Sequence, residues 1–186
     1  MITFSSYVMH RDIIGIYREA FPKHLRIPNG EICKRIRTKF YECILLTDKE
    51  NTVGFALLVH LNDIVHIDYL AINNVYRGQG YFGKLMQVIL EKYPYLSLEC
   101  EDTLVQLYSK YGFVNSNIDH TFQGTQLNFM TRGCMEKRIY HIITALVSKL
   151  QSLITEDIVK DYIVVEFEDG EKPIIFFDKR STWECS

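Results

Sequence analysis

The 186-residue chain holds no apolar run of about 18 residues, so none of it is expected to cross a bilayer as a helix. Its N-terminus, Met-Ile-Thr-Phe-Ser-Ser-Tyr-Val-Met-His, lacks a charged start and a long apolar core, which argues against a signal peptide. A basic excess is missing too. The 21 Lys and Arg against 23 Asp and Glu leave a formal net charge of −2, without the electrostatic footprint of a nucleic-acid binder. Close cysteine pairs are absent. Cys33, Cys43, Cys100, Cys134 and Cys185 are odd in number and widely spaced, with no C-x-x-C. That pattern points to reduced thiols in a cytoplasmic protein and sets aside a structural zinc, whose ligands come in close pairs. Packing inside the core is the favoured use of these thiols, ahead of a catalytic cysteine. Internal repeats and low-complexity tracts are absent as well.

What remains is ordinary for a globular chain: 47% hydrophobic and 24% charged residues. The length allows one large domain, or one domain with an appendage.

One stretch, residues 63–86, organises the rest. Ile64, Val65, Ile67, Tyr69, Leu70, Ala71 and Ile72 form a β-rich apolar run of buried-strand length. Asn73-Asn74 breaks it. Arg77-Gly-Gln-Gly-Tyr-Phe-Gly83 follows, and then Leu85, Met86, Val88, Ile89 and Leu90 recur at helical spacing up to Pro94. Glycines let a backbone approach a ligand closely. The first turn of a helix offers free N–H groups and a partial positive charge. A phosphate-bearing ligand is therefore expected at 77–83.

Three motifs overlap on these glycines. Gly78-x-Gly80-x-x-Gly83 matches the dinucleotide fingerprint, with Glu99 or Glu101 at about the expected 20-residue distance. That turn should leave its strand directly into the first glycine, early in a doubly wound sheet. Here Asn73 to Arg77 intervene, and a hairpin precedes. Gly78-x-x-x-x-Gly83-Lys84 approaches a P-loop, but Leu85 stands where a magnesium-binding hydroxyl belongs. The third match is better supported. Leu-Ala-Ile-Asn-Asn-Val-Tyr-Arg-Gly-Gln-Gly before a helix resembles the acyl-CoA motif of the GNAT superfamily of N-acyltransferases, Gln/Arg-x-x-Gly-x-Gly/Ala. Arg77 and Gly80 fit it; Phe82 departs, with Gly83 one place later. Independently, Leu107-Tyr-Ser-Lys-Tyr-Gly-Phe113 resembles the family's second signature at its usual place downstream. The resemblance covers roughly residues 1–131.

The rest of the chain reads as follows. Residues 2–9 suit a strand. His10-Arg-Asp12 opens a helix that Asp12 can cap, with Ile13, Ile16, Tyr17 and Ala20 on one face, ending at Phe21-Pro22. Ile27-Pro-Asn-Gly30 is expected to be a turn and Glu31 to Phe40 a short basic helix. Its Lys34, Arg35, Arg37 and Lys39 are expected on a solvated face, with attraction of an anionic cofactor or substrate as the alternative. Tyr41 to Leu46 and Thr52 to Leu61 form a hairpin with a four- or five-residue loop at Asp48-Lys-Glu-Asn51. After the central strand and helix, Tyr95 to Cys100 is a strand parallel to the first. A helix capped by Asp102 or Thr103 runs to Tyr111 and stops at Gly112. Phe113 to Asp119 and Thr125 to Thr131 make a last hairpin. Beyond it, Met135, Ile139, Ile142, Ile143, Leu146, Leu150 and Leu153 stripe a long helix. Two short strands follow, Tyr162 to Phe167 and Pro173 to Phe177. This tail is expected to pack on the main domain; a homodimer contact or a lid is the rival.

The fold expected is thus α+β. A GNAT-type mixed central sheet flanked by helices spans residues 1–133, and a helix plus β-hairpin appendage spans 134–186. The resemblance implies transfer of an acetyl group from acetyl-CoA to an amine. The amine must lose a proton, because a lysine-like amine titrates near 10.4. A developing oxyanion needs a donor, and the leaving thiolate needs a proton. By the resemblance, Tyr108 is the proton donor to the thiolate, and Tyr111 packs. On an ideal strand His66, Asp68 and Leu70 share one face. Asp68 and His66 are the candidates for base or amine anchor, and a mutual hydrogen bond between them is the plain structural reading. His60 and His120 are further residues that could face the cleft, with nothing in the sequence to single them out. Leu70, Ala71 and Ile72 are expected to pair with the pantetheine arm. Arg77, Gly78, Gln79, Gly80, Tyr81, Phe82 and Gly83 are expected to cradle the pyrophosphate. The family often has Asn-x-x-Ala before the tyrosine, and here Glu101 and Leu104 stand there. No metal site, membrane or nucleic acid is expected. The alternative to an enzyme is a catalytically silent module of the same fold that binds CoA or a protein partner.

Overall fold

The computed structural model describes residues 2–5, 10–37, 41–61, 64–133, 141, 145, 162–165 and 174–177. Among them a seven-stranded mixed sheet runs in the order β1-β2-β3-β4-β5-β7-β6. Its strands are β1 (Ile2–Ser5), β2 (Tyr41–Asp48), β3 (Asn51–Leu61), β4 (Ile64–Ile72), β5 (Leu96–Cys100), β6 (Val114–Phe122) and β7 (Thr125–Arg132). Only β4 and β5 run parallel, joined by helix α3 (Tyr81–Lys92). Such a strand–helix–strand crossover is what the sequence pattern implied. Helices α1 (His10–Ala20) and α2 (Asn29–Arg37) precede the first hairpin, and α4 (Asp102–Ser109) links β5 to β6. The expected C-terminal hairpin is present as β8 (Tyr162–Val165) paired with β9 (Ile174–Phe177). The expected helical stripe from Met135 to Leu153 lies outside the described residues.

Alternation along the strands sorts apolar residues into two layers. On one face Ile13, Ile16 and Tyr17 of α1 and Ile32 of α2 pack with Phe55, Leu57, Val59, Tyr69 and Ala71. On the other, Leu85, Met86 and Ile89 of α3 and Tyr108 of α4 pack with Ala56, Leu58, Val65, Ile67 and Ile72. Each fully buried Leu or Ile contributes about 1.5–3 kcal/mol over its exposed state, so both faces of β3 and β4 are anchored.

Three local expectations are corrected. The loop between β2 and β3 is two residues, Lys49 and Glu50, both at positive φ (48° and 73°). Those are the dihedrals of a tight primed turn, whose twist matches the strands. Helix α2 begins at Asn29, so Asn29 and Gly30 form its first turn and not a separate loop. Helix α1 begins at His10, which places Asp12 inside the first turn, where it accepts a hydrogen bond from Thr52 Oγ1 at 3.1 Å.

The central strand departs from ideal alternation at one residue. Leu57 pairs with Tyr69 and Leu58 with Ile67, leaving Asp68 as an extra residue in β4. This bulge reverses the facing of every residue after it. Val65 and Ile67 share a layer with Leu70 and Ile72, while Tyr69 and Ala71 cross to the other. Pairing to β5 covers only Val65, His66 and Ile67. From Asp68 onward β4 and β5 no longer pair, and the gap between them opens into the candidate site.

Candidate functional site

The gap opens into a cavity of about 880 Å³ bounded by β4, β5, α4 and the glycine turn at one end. Phe21, Leu25, Arg35 and the β6–β7 pair bound the other.

The glycine end is built from the chain upward. Asn73 ends β4 and its side chain accepts from the Val75 N–H at 3.2 Å, closing a short 3-10 turn at Asn74–Tyr76. Arg77 Nε donates to the Ile72 carbonyl at 3.1 Å, folding the turn back on the strand end. Gly80 caps α3 at φ 81°, a conformation costly for any side-chain-bearing residue. An added Cβ there would meet nothing within 4 Å, so the turn borders open space. The Lys84 N–H already bonds the Gly80 carbonyl, whereas the N–H groups before it lie in the unpaired first turn of a helix. The Tyr81 hydroxyl donates to Asp48 at 2.6 Å, fixing this turn to β2. These features fit a pyrophosphate group.

Leu70, Ala71, Ile72, Arg77, Gly78, Gly80, Tyr81, Phe82 and Gly83 all line the cavity. Gln79 does not; its amide donates to the Val75 carbonyl at 3.0 Å and braces the turn from outside. Tyr108 also lines the cavity, its ring 5.9 Å from those of Phe82 and Phe113. Burial pushes its phenol above the ordinary range, so it carries its proton at neutral pH. Tyr111 lines the wall as well.

His66 and Asp68 reach the same cavity, but not as an ideal strand would arrange them. The bulge separates both from Leu70, which packs in the opposite layer. No hydrogen bond joins them; each is held by another partner. His66 Nδ1 lies 3.0 Å from Ser97 Oγ, and the ring stacks on Phe129. Asp68 accepts from Arg35 of α2 at 2.6 Å. Burial lowers the pKa of His66 against the opposing fields of Glu99 and Asp68, so the imidazole is neutral at pH 7.

The expected solvated face of α2 is corrected at Arg35. This residue is 3% exposed, pairs with Asp68 and lies 5.7 Å over the Tyr41 ring. Two more site residues were not singled out in advance. Glu99 of β5 and His120 of β6 line the cavity and pair at 3.2 Å. Burial raises the Glu99 pKa, but the His120 hydrogen bond, with smaller electrostatic contributions from the histidines around it, outweighs burial and holds the carboxyl below its usual value. The same hydrogen bond raises His120. A signal existed for two of the three: Glu99 stands alone in the apolar run Leu-Ser-Leu-Glu-Cys, and Arg35 lies three residues after Ile32 on the apolar stripe of α2. His60 lies elsewhere, 2.9 Å from Glu42. Among the described residues no group of three His, Cys, Asp or Glu could hold a metal ion.

A family model described as the acetyltransferase (GNAT) domain matches residues 13–133. Solved structures of similar fold include a GNAT-family protein from Bacteroides thetaiotaomicron, with TM-score 0.69, 16% identity and coverage of 81% of this chain and 98% of that one. Another is the ribosomal-protein-S18-alanine N-acetyltransferase from Escherichia coli, with TM-score 0.60, 18% identity and coverage of 73% and 96%. A third is a GNAT family acetyltransferase from Elizabethkingia anophelis with acetyl-CoA bound, with TM-score 0.50, 16% identity and coverage of 71% and 96%. Among curated proteins no sequence matches.

Proposed function

The chain belongs to the GNAT acetyltransferase family, and on that premise we propose that it moves an acetyl group from acetyl-CoA to a primary amine by direct attack in a ternary complex. The observation that carries this reading is the single cavity that joins the glycine turn of α3 to Tyr108, His66, Asp68 and Glu99. Leu70, Ala71 and Ile72 offer the edge that β5 leaves uncovered to the pantetheine arm, and the turn from Arg77 to Gly83 holds the pyrophosphate. Acetyl-CoA supplies the acyl thioester; the chain supplies positioning and proton transfer.

Asp68, held by Arg35, anchors the acceptor nitrogen. His66 takes its proton. In the tautomer that donates Nδ1–H to Ser97, Nε2 keeps its lone pair and is a competent base at neutral pH. Glu99 and Asp68 favour the imidazolium that results, while His120 and Arg35 oppose it. The Tyr108 hydroxyl gives its proton to the leaving sulfur. A silent CoA-binding module leaves this cluster of buried ionisable groups, which is costly to maintain, without a purpose. The reading carries a cytoplasmic setting with it, and makes residues 134–186 an appendage to the catalytic domain.

The test is thermal shift with acetyl-CoA, NAD and ATP in parallel, followed by release of free CoA with an amine panel. A ligand at ~100 times its Kd stabilises the folded state by ~2.7 kcal/mol, which is readily measured. Stabilisation by acetyl-CoA alone, with amine-dependent CoA release, is the expected result. A shift with NAD or ATP instead would overturn it.

A further inference from the structure

We infer that the acceptor is a monocationic amine carried on a ring-sized apolar body, such as an arylalkylamine, and not a polyamine or a polar amine. This rests on the acetyltransferase reading and concerns the end of the cavity away from the glycine turn. Two observations point the same way.

The first is charge. A polycation needs several carboxylates free of local compensation. Three carboxylates line the cavity; Glu101 stands at the start of α4, on the side of the glycine turn, and the two at the acceptor end are each paired with a cationic side chain. Asp68 has Arg35 at 2.6 Å, and Glu99 has His120 at 3.2 Å with its pKa raised toward the charged form. Asp68 keeps acceptor capacity beyond its bond to Arg35, because an ionised carboxylate offers about four lone-pair sites. That is enough for one ammonium group, and the Glu99–His120 pair beside it adds no net negative charge to hold a second.

The second is the wall. Phe21 and Leu25, on the segment after α1, and Phe122 and Leu127, on the β6–β7 pair, line this end. Phe21 meets Tyr69 edge to face, centroids 5.2 Å apart at 89°, and Tyr69 meets Tyr17 in the same manner at 88°. The Tyr17 hydroxyl accepts from the Ile27 N–H at 2.8 Å, which ties the wall-bearing segment to α1. Edge-to-face pairing is the preferred geometry of aromatic rings, and a ligand ring extends this series at Phe21. A hydroxyl-rich or multiply charged body would be desolvated against these side chains without hydrogen bonds.

The test measures kcat/KM at saturating acetyl-CoA on the full chain for 2-phenylethylamine, spermidine and ethanolamine, with thermal shift by acetyl-CoA run beside it. The expected result is a preference for 2-phenylethylamine of tenfold or more over both others, and Phe21→Ala collapses that ratio several-fold. An equal or better rate with spermidine or ethanolamine overturns the inference while leaving the acetyltransferase reading intact. Absence of an acetyl-CoA shift, together with absence of turnover on all three amines, overturns both. The comparison on the native chain decides the matter even where Phe21→Ala fails to fold.

Discussion

Arg35 and Asp68 are 33 positions apart in the chain and 2.6 Å apart in space, and this ion pair joins α2 to the bulge of the central strand. Both side chains are nearly buried, at 4% and 11% exposure, so the pair works where water screens little. The pair orients the residue assigned to the acceptor nitrogen, and it fixes the helix that closes that end of the cavity.

Breaking the pair from one side is expected to be costly. Arg35→Met leaves Asp68 charged against an apolar layer, at a cost of about 3–5 kcal/mol in urea unfolding. The double variant Arg35→Met/Asp68→Leu is expected to recover most of that loss, while losing acetyl transfer. A double variant no more stable than Arg35→Met would show that the two side chains are not coupled.

Tyr108→Phe is expected to lower kcat by about 10²-fold or more and leave the acetyl-CoA Kd within about twofold, since only the hydroxyl proton is removed. Steady-state kinetics with calorimetric titration separates the two quantities. An unchanged kcat removes Tyr108 from the mechanism.

Gly80→Glu is expected to weaken acetyl-CoA binding by at least about 100-fold, roughly 2.8 kcal/mol. It forces a side chain onto a residue at φ 81° and turns a carboxylate toward the phosphate-binding turn. Retained affinity in calorimetry would remove the glycine turn from the cofactor site.

Gly54 of β3 has no room for a methyl group. A Cβ there would sit 2.6 Å from the Ala71 carbonyl oxygen and 2.6 Å from Ile72 Cδ1. Because the first obstacle is backbone, Gly54→Ala must displace β4, at about 1–3 kcal/mol of stability. The same displacement moves the Ala71 and Ile72 backbone, so a weaker acetyl-CoA Kd should accompany the lower Tm.

Stability should depend on pH through His120. Its hydrogen bond to Glu99 raises the folded-state pKa above 6.5. The folded state therefore holds this proton more tightly than the unfolded chain. That contribution is fully present below pH 6.5 and is lost as pH rises through the raised value. His120→Gln should accordingly cost more Tm at pH 6 than at pH 8.5. An equal cost at both would mean that the ion pair is not what stabilises.

The strand, turn and helix of residues 64–92 were legible from local pattern, because apolar run length, glycine position and helical spacing are all local properties. The short signature around Tyr108 was legible for the same reason, and so were the hairpins and the parallel β4–β5 pair. Local pattern failed where burial is decided by distant chain. Arg35 reads as one of four basic residues on a short helix; only the arrival of Asp68 from β4 makes its burial tolerable. Asp68 itself reads as one member of a regular alternation. The bulge that turns it away from Leu70 arises from pairing with β3, in which Leu57 and Leu58 face Tyr69 and Ile67. Glu99 and His120 lie on strands that the chain places 21 residues apart, and they meet because β5, β7 and β6 lie side by side in the sheet. The sequence by itself determined the glycine turn, the helix behind it and the family. Tertiary structure alone decided which charges face one another in the cavity, because charge pairing across a sheet depends on register and strand order, which no single segment encodes.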